Sequence, residues 1–296
     1  MIEVLRPGPL ATVQDLGRPG LAHLGVPGSG AADRRSLRLA NRLVGNPEDA
    51  AGLELTFGGA ALRFHEAAWV AVTGAPAPLT VDGRPCGLNA PCRVPAGALV
   101  EFGIPLEGAR TYLAVRGGVD VPPVLGSRST DLLSGLGPAP LAAGDRLPVA
   151  PYENGPPMVV DQAPVPPLPL LPTLRVLPGP RDDWFAPGAF AALTSGAWEV
   201  TADSNRVGVR LAGRPIERAR QGELPSEGMV TGAIQVPPDG MPIVFLADHP
   251  TTGGYPVIAV VAAADIPLAA QLKPGQRVIL GGRPPDPPLS ASNDLH

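Results

Sequence analysis

The densest group of side chains able to bind a ligand or move a proton lies in residues 224–255, LPSEGMVTGAIQVPPDGMPIVFLADHPTTGGY. Glu227, Asp239 and Asp248 are carboxylates that can act as general bases or orient a water molecule. They stand among glycines and prolines, which indicates loops whose backbone can approach a small polar ligand closely. Asp239 is the weakest of the three, because Pro-Asp-Gly is also ordinary turn chemistry. A ligand site and a set of structural turns both remain open for this segment.

The same segment ends in Thr-Thr-Gly-Gly-Tyr, which resembles a nest of backbone N–H groups. Such a nest binds a carboxylate or a carbonyl oxygen. Its residues are Thr251, Thr252, Gly253, Gly254 and Tyr255. An apolar run, residues 243–247, predicts a strand that holds this loop beside the preceding one.

A second candidate is the glycine-rich stretch of residues 14–33, which includes Asp15, Arg18 and Ser29. A glycine-rich loop that leads into a helix offers N–H groups to an anion, which would place a carboxylate or phosphate near Ser29 and Gly30. Alternatively, Ser29 and Asp33 cap the first helical turn, and the pattern by itself favours this capping role. The Gly-x-Gly-x-x-Gly spacing of a dinucleotide site is absent.

A third candidate is the run Gly-Ser-Arg-Ser-Thr at residues 126–130. An arginine between hydroxyl groups can hold a carboxylate or phosphate through a two-pronged contact, with Arg128 as the charge clamp and Ser129 and Thr130 beside it. A plain surface turn explains the spacing equally well.

Several kinds of site are disfavoured by composition. The net charge of −4 and the scattered arginines argue against a nucleic-acid or membrane partner. Lys273 is the only lysine and lies in a Lys-Pro-Gly turn, so neither a Gly-Lys-Ser/Thr phosphate loop nor a biotin-carrying lysine is present. Cys86 and Cys92 lack a metal-binding spacing, and we expect reduced thiols in a cytoplasmic protein. No metal site is predicted.

The scaffold for these loops is predicted to be mainly β with few helices, because glycine and proline (37 and 40 of 296 residues) interrupt short apolar runs at regular intervals. Residues 1–150 form an N-terminal β lobe with one helix, residues 32–44, which Gly45 ends. Residues 173–284 form a C-terminal β lobe with short helices near residues 182–193 and 264–272. Residues 151–172 are a proline-rich linker or surface strap, and residues 285–296 a disordered tail.

Five blocks, in order between residues 2 and 280, resemble the signature blocks of one family. They read VQDLGRPG, LGVPGSGAADRRSLRLANRLVGN, GSRST, SEGMVTGAIQVPPDG and ADHPTTGGYP. They make the chain similar to the 5-oxoprolinase C-subunit family, also called biotin-dependent carboxyltransferase or allophanate hydrolase subunit 2-like. The resemblance implies two cyclophilin-like β-barrel lobes, the second of them residues 173–284.

The resemblance also implies partners and a reaction. Members work beside two further components of 5-oxoprolinase, the Kip-inhibitor-like B component and the A component. The complex uses ATP to open the lactam of 5-oxo-L-proline to L-glutamate. ATP is expected on a partner or in a shared site, and no covalent biotin on this chain.

The resemblance leaves two other functions open. One is a biotin-dependent carboxyltransferase component acting on urea or a related amide, as in urea carboxylase. The other is a non-enzymatic regulator that binds the Kip-inhibitor-like partner.

Residue chemistry and the family blocks together give the predicted site, in which distant segments of both lobes converge on one cleft completed by a second polypeptide. The predicted catalytic residues are Glu227, Gln235 and Asp248. The predicted substrate-binding residues are Asp15, Arg18, Ser29, Arg128, Ser129, Thr130, Thr251, Thr252, Gly253, Gly254 and Tyr255.

The resemblance has two departures near these residues. Asn205 stands where the family pattern has an aspartate in Ser-Asp-Arg, and His249-Pro250 stands where it has Arg-Gln. A lost carboxylate and a lost arginine change which anion such a site prefers, so the departures bear on the substrate more than on the fold.

Overall fold

The computed structural model describes residues 1–152, 156–222 and 224–281. It is mainly β, and its described residues contain three short α-helices, as the composition predicted. None of these helices has the length and hydropathy needed to cross a bilayer. The predicted tail, residues 285–296, lies outside the described residues.

The N-terminal lobe consists of two antiparallel sheets. Its strands are β1 (Ile2–Arg6), β2 (Leu10–Gln14), β3 (Gly52–Thr56), β4 (Ala61–Phe64), β5 (Ala68–Gly74), β6 (Leu79–Val81), β7 (Arg84–Pro85), β8 (Pro91–Val94), β9 (Leu99–Phe102), β10 (Arg110–Val115) and β11 (Arg146–Leu147). One sheet has the order β11-β1-β4-β9-β6-β7, and the other the order β2-β3-β10-β5-β8. Their apolar faces share one core, so this lobe is built from two sheets packed face to face.

The one α-helix of this lobe, α1 (Arg34–Leu43), confirms the prediction for residues 32–44. Asp33 caps it by accepting a hydrogen bond from the Ser36 amide, 3.0 Å away. Leu37 and Ala40 are fully buried, and the helix packs on β5 and β10. The helix therefore fixes the glycine-rich loop that precedes it against the five-stranded sheet.

The C-terminal lobe contains a closed seven-stranded barrel, as the fold prediction expected. Its elements are β12 (Thr173–Pro178), α2 (Ala189–Thr194), β13 (Ala197–Val200), β14 (Gly208–Ala212), β15 (Glu227–Gly228), β16 (Ala233–Gln235), β17 (Ile243–Phe245), β18 (Thr252–Gly253), β19 (Val257–Val261), α3 (Ile266–Ala269) and β20 (Arg277–Gly281). The barrel order is β12-β19-β16-β17-β14-β13-β20, and the parallel pair β12–β20 closes it. β15 and β18 form a separate two-stranded ribbon.

Three local predictions are corrected. The helix near residues 182–193 divides into a 3-10 turn (Asp182–Trp184) and α2, because Pro187 and the left-handed Gly188 (φ 84°) interrupt it. The helix near residues 264–272 shrinks to α3 after a 3-10 turn. Cys86 and Cys92, expected as separate thiols, are joined in a disulfide with Cα atoms 6.9 Å apart.

Candidate functional site

The two lobes meet at a buried ionic cluster, which we call the lobe junction: Glu54, Arg110, Arg206 and Asp248. Arg206 Nε and Nη2 each donate to a different oxygen of Asp248 at 2.8 Å, and Nη1 donates to Glu54 Oε1 at 2.6 Å. Glu54 comes from β3 of the N-terminal lobe, whereas Arg206 and Asp248 flank strands of the barrel. The Arg206 side chain has no exposed surface, so its charge depends wholly on these partners.

Charge pairing keeps the lobe junction ionised despite its burial. Burial alone would raise the pKa of Glu54, but the Arg206 and Arg110 guanidinium groups together hold it below its ordinary value. Burial likewise opposes the charge on Arg206, yet Glu54 and Asp248 raise its pKa above the ordinary value. Two cations and two anions thus balance one another between the lobes.

The N-terminus of α1, where the sequence left an anion site open, is occupied by the protein's own groups. The Ala32 amide donates to Glu54 Oε2 at 3.0 Å, and the Asp33 amide donates to the Tyr112 hydroxyl at 2.8 Å. The carboxylate of Asp33 takes the Ser36 amide. These three amides are therefore paired within the protein, which confirms the capping role of Asp33.

Asp15 organises the run of residues 126–130. Its Oδ1 accepts from the hydroxyls of Ser127 (2.6 Å) and Ser129 (2.5 Å), and its Oδ2 accepts from the Arg128 amide at 2.6 Å. The Gly17 amide also donates to Oδ1 at 2.7 Å, and a carboxylate with four such donors is already satisfied. Asp15 and Ser129 are therefore brought together as predicted neighbours, but by contacts with each other.

Two loops of the N-terminal lobe reach the barrel at Asp248. The Ser29 hydroxyl lies 2.7 Å from Asp248 Oδ1 and 3.0 Å from the carbonyl oxygen of Thr130, and the Leu132 amide donates to Asp248 Oδ2 at 3.1 Å. With Arg206, these contacts occupy both oxygens of Asp248, which is fully buried. The structure thus brings Ser29, Thr130 and Asp248 together at the lobe junction.

The two arginines of these loops face other surroundings. Arg18 is buried, and its Nη2 donates to the carbonyl oxygen of Ser129 at 2.6 Å. The side chain of Arg128 turns outward, where its Nη2 donates to Asp120 and its Nε to the carbonyl oxygen of Val121, each at 2.8 Å. The predicted convergence therefore does not include the guanidinium of Arg128.

Glu227, Thr252 and Gly253 lie in the ribbon of β15 and β18. Glu227 pairs with Gly253, and Gly228 with Thr252, so the Thr-Thr-Gly-Gly segment lies beside the predicted base. Arg181 Nε donates to Glu227 Oε2 at 3.0 Å, and both side chains are partly exposed. Glu227 and Thr252 thus share one small element, separate from the lobe junction.

Gln235 and Tyr255 line a cavity of about 420 Å³ on the outer surface of the barrel, which we call the outer cavity. Gln235 Nε2 donates to the Tyr255 carbonyl oxygen at 3.0 Å. A side chain at Gly253 would come within 2.7 Å of this amide nitrogen, so the glycine leaves the space in which Gln235 lies. The other lining residues are Leu133, Asn205, Val207, Gly208, Arg210, Pro237, Asp239, Ile243, Phe245 and Pro250.

Arg210 and His249 are polar residues near this cavity that sequence reasoning did not select. Arg210 lies in β14, where the alternation of residues 207–211 already predicts a side chain facing away from the core. His249 stacks against Phe245, which lines the cavity, and its Nδ1 lies 2.8 Å from the Pro250 carbonyl oxygen. Burial lowers the pKa of His249, so its imidazole is neutral at pH 7 and this nitrogen carries the proton.

Comparison with known proteins assigns the architecture to one group. The chain is 39% identical to the Escherichia coli protein named as the C subunit of 5-oxoprolinase over 281 residues, which cover 94% of this chain and 90% of that one. It is 35% identical to Saccharomyces cerevisiae urea amidolyase, covering 94% of this chain but 16% of that protein.

Solved structures agree. A structure of TTHA0988 superimposes with a TM-score of 0.86 at 38% identity, covering 96% of this chain and 55% of that one. The Kluyveromyces lactis urea carboxylase gives a TM-score of 0.83 at 34% identity, covering 94% of this chain and 27% of that one. The chain therefore spans about half of the first structure and a smaller part of the second. The model of the carboxyltransferase domain, subdomain A and B, matches residues 24–280, and this chain belongs to that family.

Proposed function

We propose that this chain is the C component of an ATP-dependent 5-oxoprolinase, which opens 5-oxo-L-proline to L-glutamate together with the A and B components. The observation that carries the proposal is the match to the E. coli protein of that name over nearly the whole of both chains. A Haemophilus influenzae protein of the same name is 34% identical over the same share. The fold adds a second argument, since the outer cavity is of a size that suits a small amide.

In this proposal, ring opening adds one water across the lactam C–N bond: the hydroxyl goes to the carbonyl carbon and a proton to the nitrogen. Glu227, which is partly exposed, is the carboxylate best placed to move a proton. Thr251, Thr252 and the Gly253–Gly254 amides lie beside it and would stabilise negative charge on the carbonyl oxygen.

Asp248 takes a different role from the one predicted. Its oxygens accept from Arg206, Ser29 and Leu132 inside the lobe junction. A proton-transfer group needs an oxygen that can reach the substrate, so we propose that Asp248 positions the loop carrying Thr251 and Thr252, and the neighbouring barrel strands, without touching the substrate.

ATP is proposed to bind mainly on a partner protein of the complex. The amides of Ala32 and Asp33 before α1 are paired within the protein, and Lys273 donates to the carbonyl oxygen of Leu106. When bound, ATP would supply activation of the lactam carbonyl, with its terminal phosphoryl group leaving as inorganic phosphate and ADP remaining. The proposed role of this chain is to bind the amide ring and to form a cleft together with the Kip-inhibitor-like B component.

The test is glutamate release from 5-oxoproline, with and without ATP, by this chain co-purified with the products of neighbouring genes for the A and B components. We expect ATP-dependent release by the complex and almost none by the chain alone. Rapid turnover by the isolated chain would contradict the shared-site model, and no release by the complex would contradict the proposed reaction.

A second candidate function is carboxyl transfer from carboxybiotin to urea or a related amide. It is favoured by the carboxyltransferase family model and by the likeness to the K. lactis urea carboxylase structure. Because the only lysine is engaged at Leu106, the biotin carrier would be another protein. Biotin-dependent carboxylation by the chain with a carrier and biotin carboxylase, together with no glutamate release, would favour this function over the first.

A further inference from the structure

Three side chains form a straight row across the outer surface of the barrel. Arg210 on β14 pairs with Ile243 on β17, and Ile243 pairs in turn with Gln235 on β16. Neighbouring strands lie about 4.8 Å apart, so the Cα atoms of Arg210 and Gln235 are roughly 10 Å apart with Ile243 between them. The strand register thus places the polar side chains of Arg210 and Gln235 on either side of the apolar Ile243.

The burial pattern shows that this row faces away from the barrel core. Val209 and Leu211 on β14 and Val244 on β17 belong to the core, and so do the neighbours of Gln235 on β16. Successive side chains of a strand alternate between faces, which puts Arg210, Ile243 and Gln235 together on the outer face. All three line the outer cavity.

The cavity exists because one position in the next row has no side chain. Gly208 pairs with Phe245 beside the row. A Cβ atom at Gly208 would lie 2.9 Å from Ile243 Cγ2 and 3.5 Å from Phe245 Cδ1, so a larger residue would fill the floor of the cavity. Tyr255, Pro250 and Pro237 supply walls.

The two ends of the row offer complementary groups. The Gln235 amide nitrogen is engaged with the Tyr255 carbonyl oxygen, and no donor of the described residues is bound to Oε1, which remains an acceptor. Arg210 is exposed, and no carboxylate oxygen of the described residues lies within 4.0 Å of its guanidinium nitrogens. Asp239, the acidic group on the wall, accepts the Met241 amide in its turn and does not pair with Arg210.

We propose that the outer cavity binds a cyclic amide that also carries a carboxylate, with the carboxylate on Arg210 and the ring N–H on Gln235 Oε1. The proposal rests on the proposed function and deepens it. A guanidinium prefers a carboxylate as a two-pronged partner, whereas urea has no anionic group to place there. Ile243 and Phe245 offer the flat apolar contact that a lactam ring requires. Arg210 is thus the residue that selects 5-oxoproline over neutral amides.

The test compares two ligands and three proteins in the assembled complex. The ligands are 5-oxoproline and 2-pyrrolidinone, which has the same ring without the carboxylate. The proteins are the wild type, Arg210→Gln and the control Arg277→Gln, which removes another exposed arginine of the barrel. The measurements are KM for 5-oxoproline, the inhibition constant of 2-pyrrolidinone, and binding of both by calorimetry.

We expect Arg210→Gln to raise KM and Kd for 5-oxoproline about tenfold or more, because one charge-assisted contact is lost. The constants for 2-pyrrolidinone should stay unchanged, and Arg277→Gln should behave as the wild type. Equal 5-oxoproline constants in Arg210→Gln and wild type would overturn the proposal while leaving the proposed function intact. A parallel loss for both ligands would also overturn it, since it would indicate a damaged cavity.

The calorimetric arm separates this proposal from the proposed function. If the complex releases no glutamate, the 5-oxoprolinase assignment fails, and carboxylate-dependent binding that is lost in Arg210→Gln would still support the cavity. If calorimetry detects no 5-oxoproline binding to wild type at millimolar concentration, the cavity is not its site.

Discussion

Two arginines four residues apart, Arg206 and Arg210, sit in opposite settings. Arg206 is buried at the lobe junction, where every one of its nitrogens donates to Asp248, Glu54 or the Gly30 carbonyl oxygen. Arg210 is exposed at the outer cavity and pairs with no carboxylate of the described residues. The charge of Arg206 is neutralised by carboxylates of the protein, whereas the charge of Arg210 remains free to bind an anionic ligand.

The contrast extends to the carboxylates. Asp248 is fully buried and saturated by donors, whereas Glu227 is partly exposed and paired with a partly exposed arginine, Arg181. Removing one partner of a buried ion pair is strongly destabilising, because no water can solvate the charge that is left behind. An exposed pair can open to admit a substrate at little cost. Charged residues whose hydrogen-bonding atoms are all paired in the interior therefore hold the two lobes together, whereas partly exposed charged residues can bind a ligand.

The largest effect is expected from Arg206→Gln. Two buried carboxylates, Glu54 and Asp248, would lose their shared cation, and the free energy of unfolding should fall by about 3–5 kcal/mol. Arg210→Gln is the matched control and should change it by less than about 0.5 kcal/mol. Urea unfolding followed by circular dichroism gives both values. Similar small losses in both variants would remove the distinction between the two regions.

A smaller loss of stability is expected from Asp248→Asn. The amide cannot accept from Arg206 and Ser29 as a carboxylate does, but Glu54 still pairs with Arg206, so the expected loss is about 2–3 kcal/mol. Glutamate release by the folded fraction, measured in the assembled complex, should remain. Loss of release with unchanged unfolding free energy would instead support the catalytic role predicted from sequence.

The free energy of unfolding of the wild type and of Arg206→Gln should depend differently on pH. The folded pKa of Glu54 is lowered, so its contribution is complete above its unfolded value of about 4.5 and is lost as the pH falls through the folded pKa. In Arg206→Gln, burial without the main cation should raise this pKa. The stability gap between variant and wild type should therefore narrow at acidic pH, as measured by urea unfolding between pH 7 and pH 4. A constant gap would argue against ionisation of Glu54.

The smallest effect on stability is expected from Glu227→Gln, less than about 1 kcal/mol, because its pair with Arg181 is partly exposed. If Glu227 moves a proton in ring opening, kcat of the complex should fall about a hundredfold or more with little change in KM. Glu199→Gln, which changes an exposed carboxylate of β13 outside the outer cavity, is the control and should keep the wild-type kcat. Unchanged kcat in Glu227→Gln would exclude it as the general base.

Local signals predicted much of the fold. The helix over residues 32–44 is observed as α1 because Asp33 caps it, and Gly45 follows it with a left-handed φ of 74°. Strands of alternating apolar residues such as β14 were predicted for the same local reason. The short helix predicted near residues 182–193, which Pro187 was expected to limit, is observed as a 3-10 turn followed by α2.

The candidate site was predictable only in part. The grouping of Glu227 with Thr252 and Gly253 follows from a short loop of nearby sequence. The expectation that Arg128 binds substrate stays a prediction, and in the structure its guanidinium donates to Asp120 and to the Val121 carbonyl oxygen. Arg210 was missed because nothing local distinguishes an exposed arginine that lacks a partner from one that has a partner.

By itself, the sequence determined the mainly β class, the family, and which loops carry polar groups, since turn chemistry and alternation are properties of neighbouring residues. Only the tertiary structure decided which of those polar groups pair with each other inside the protein. Arg206 meets Glu54 across 152 positions, and Ser29 meets Asp248 across 219. Such pairings arise when two lobes bury charge between them, and the lack of water there selects the partners.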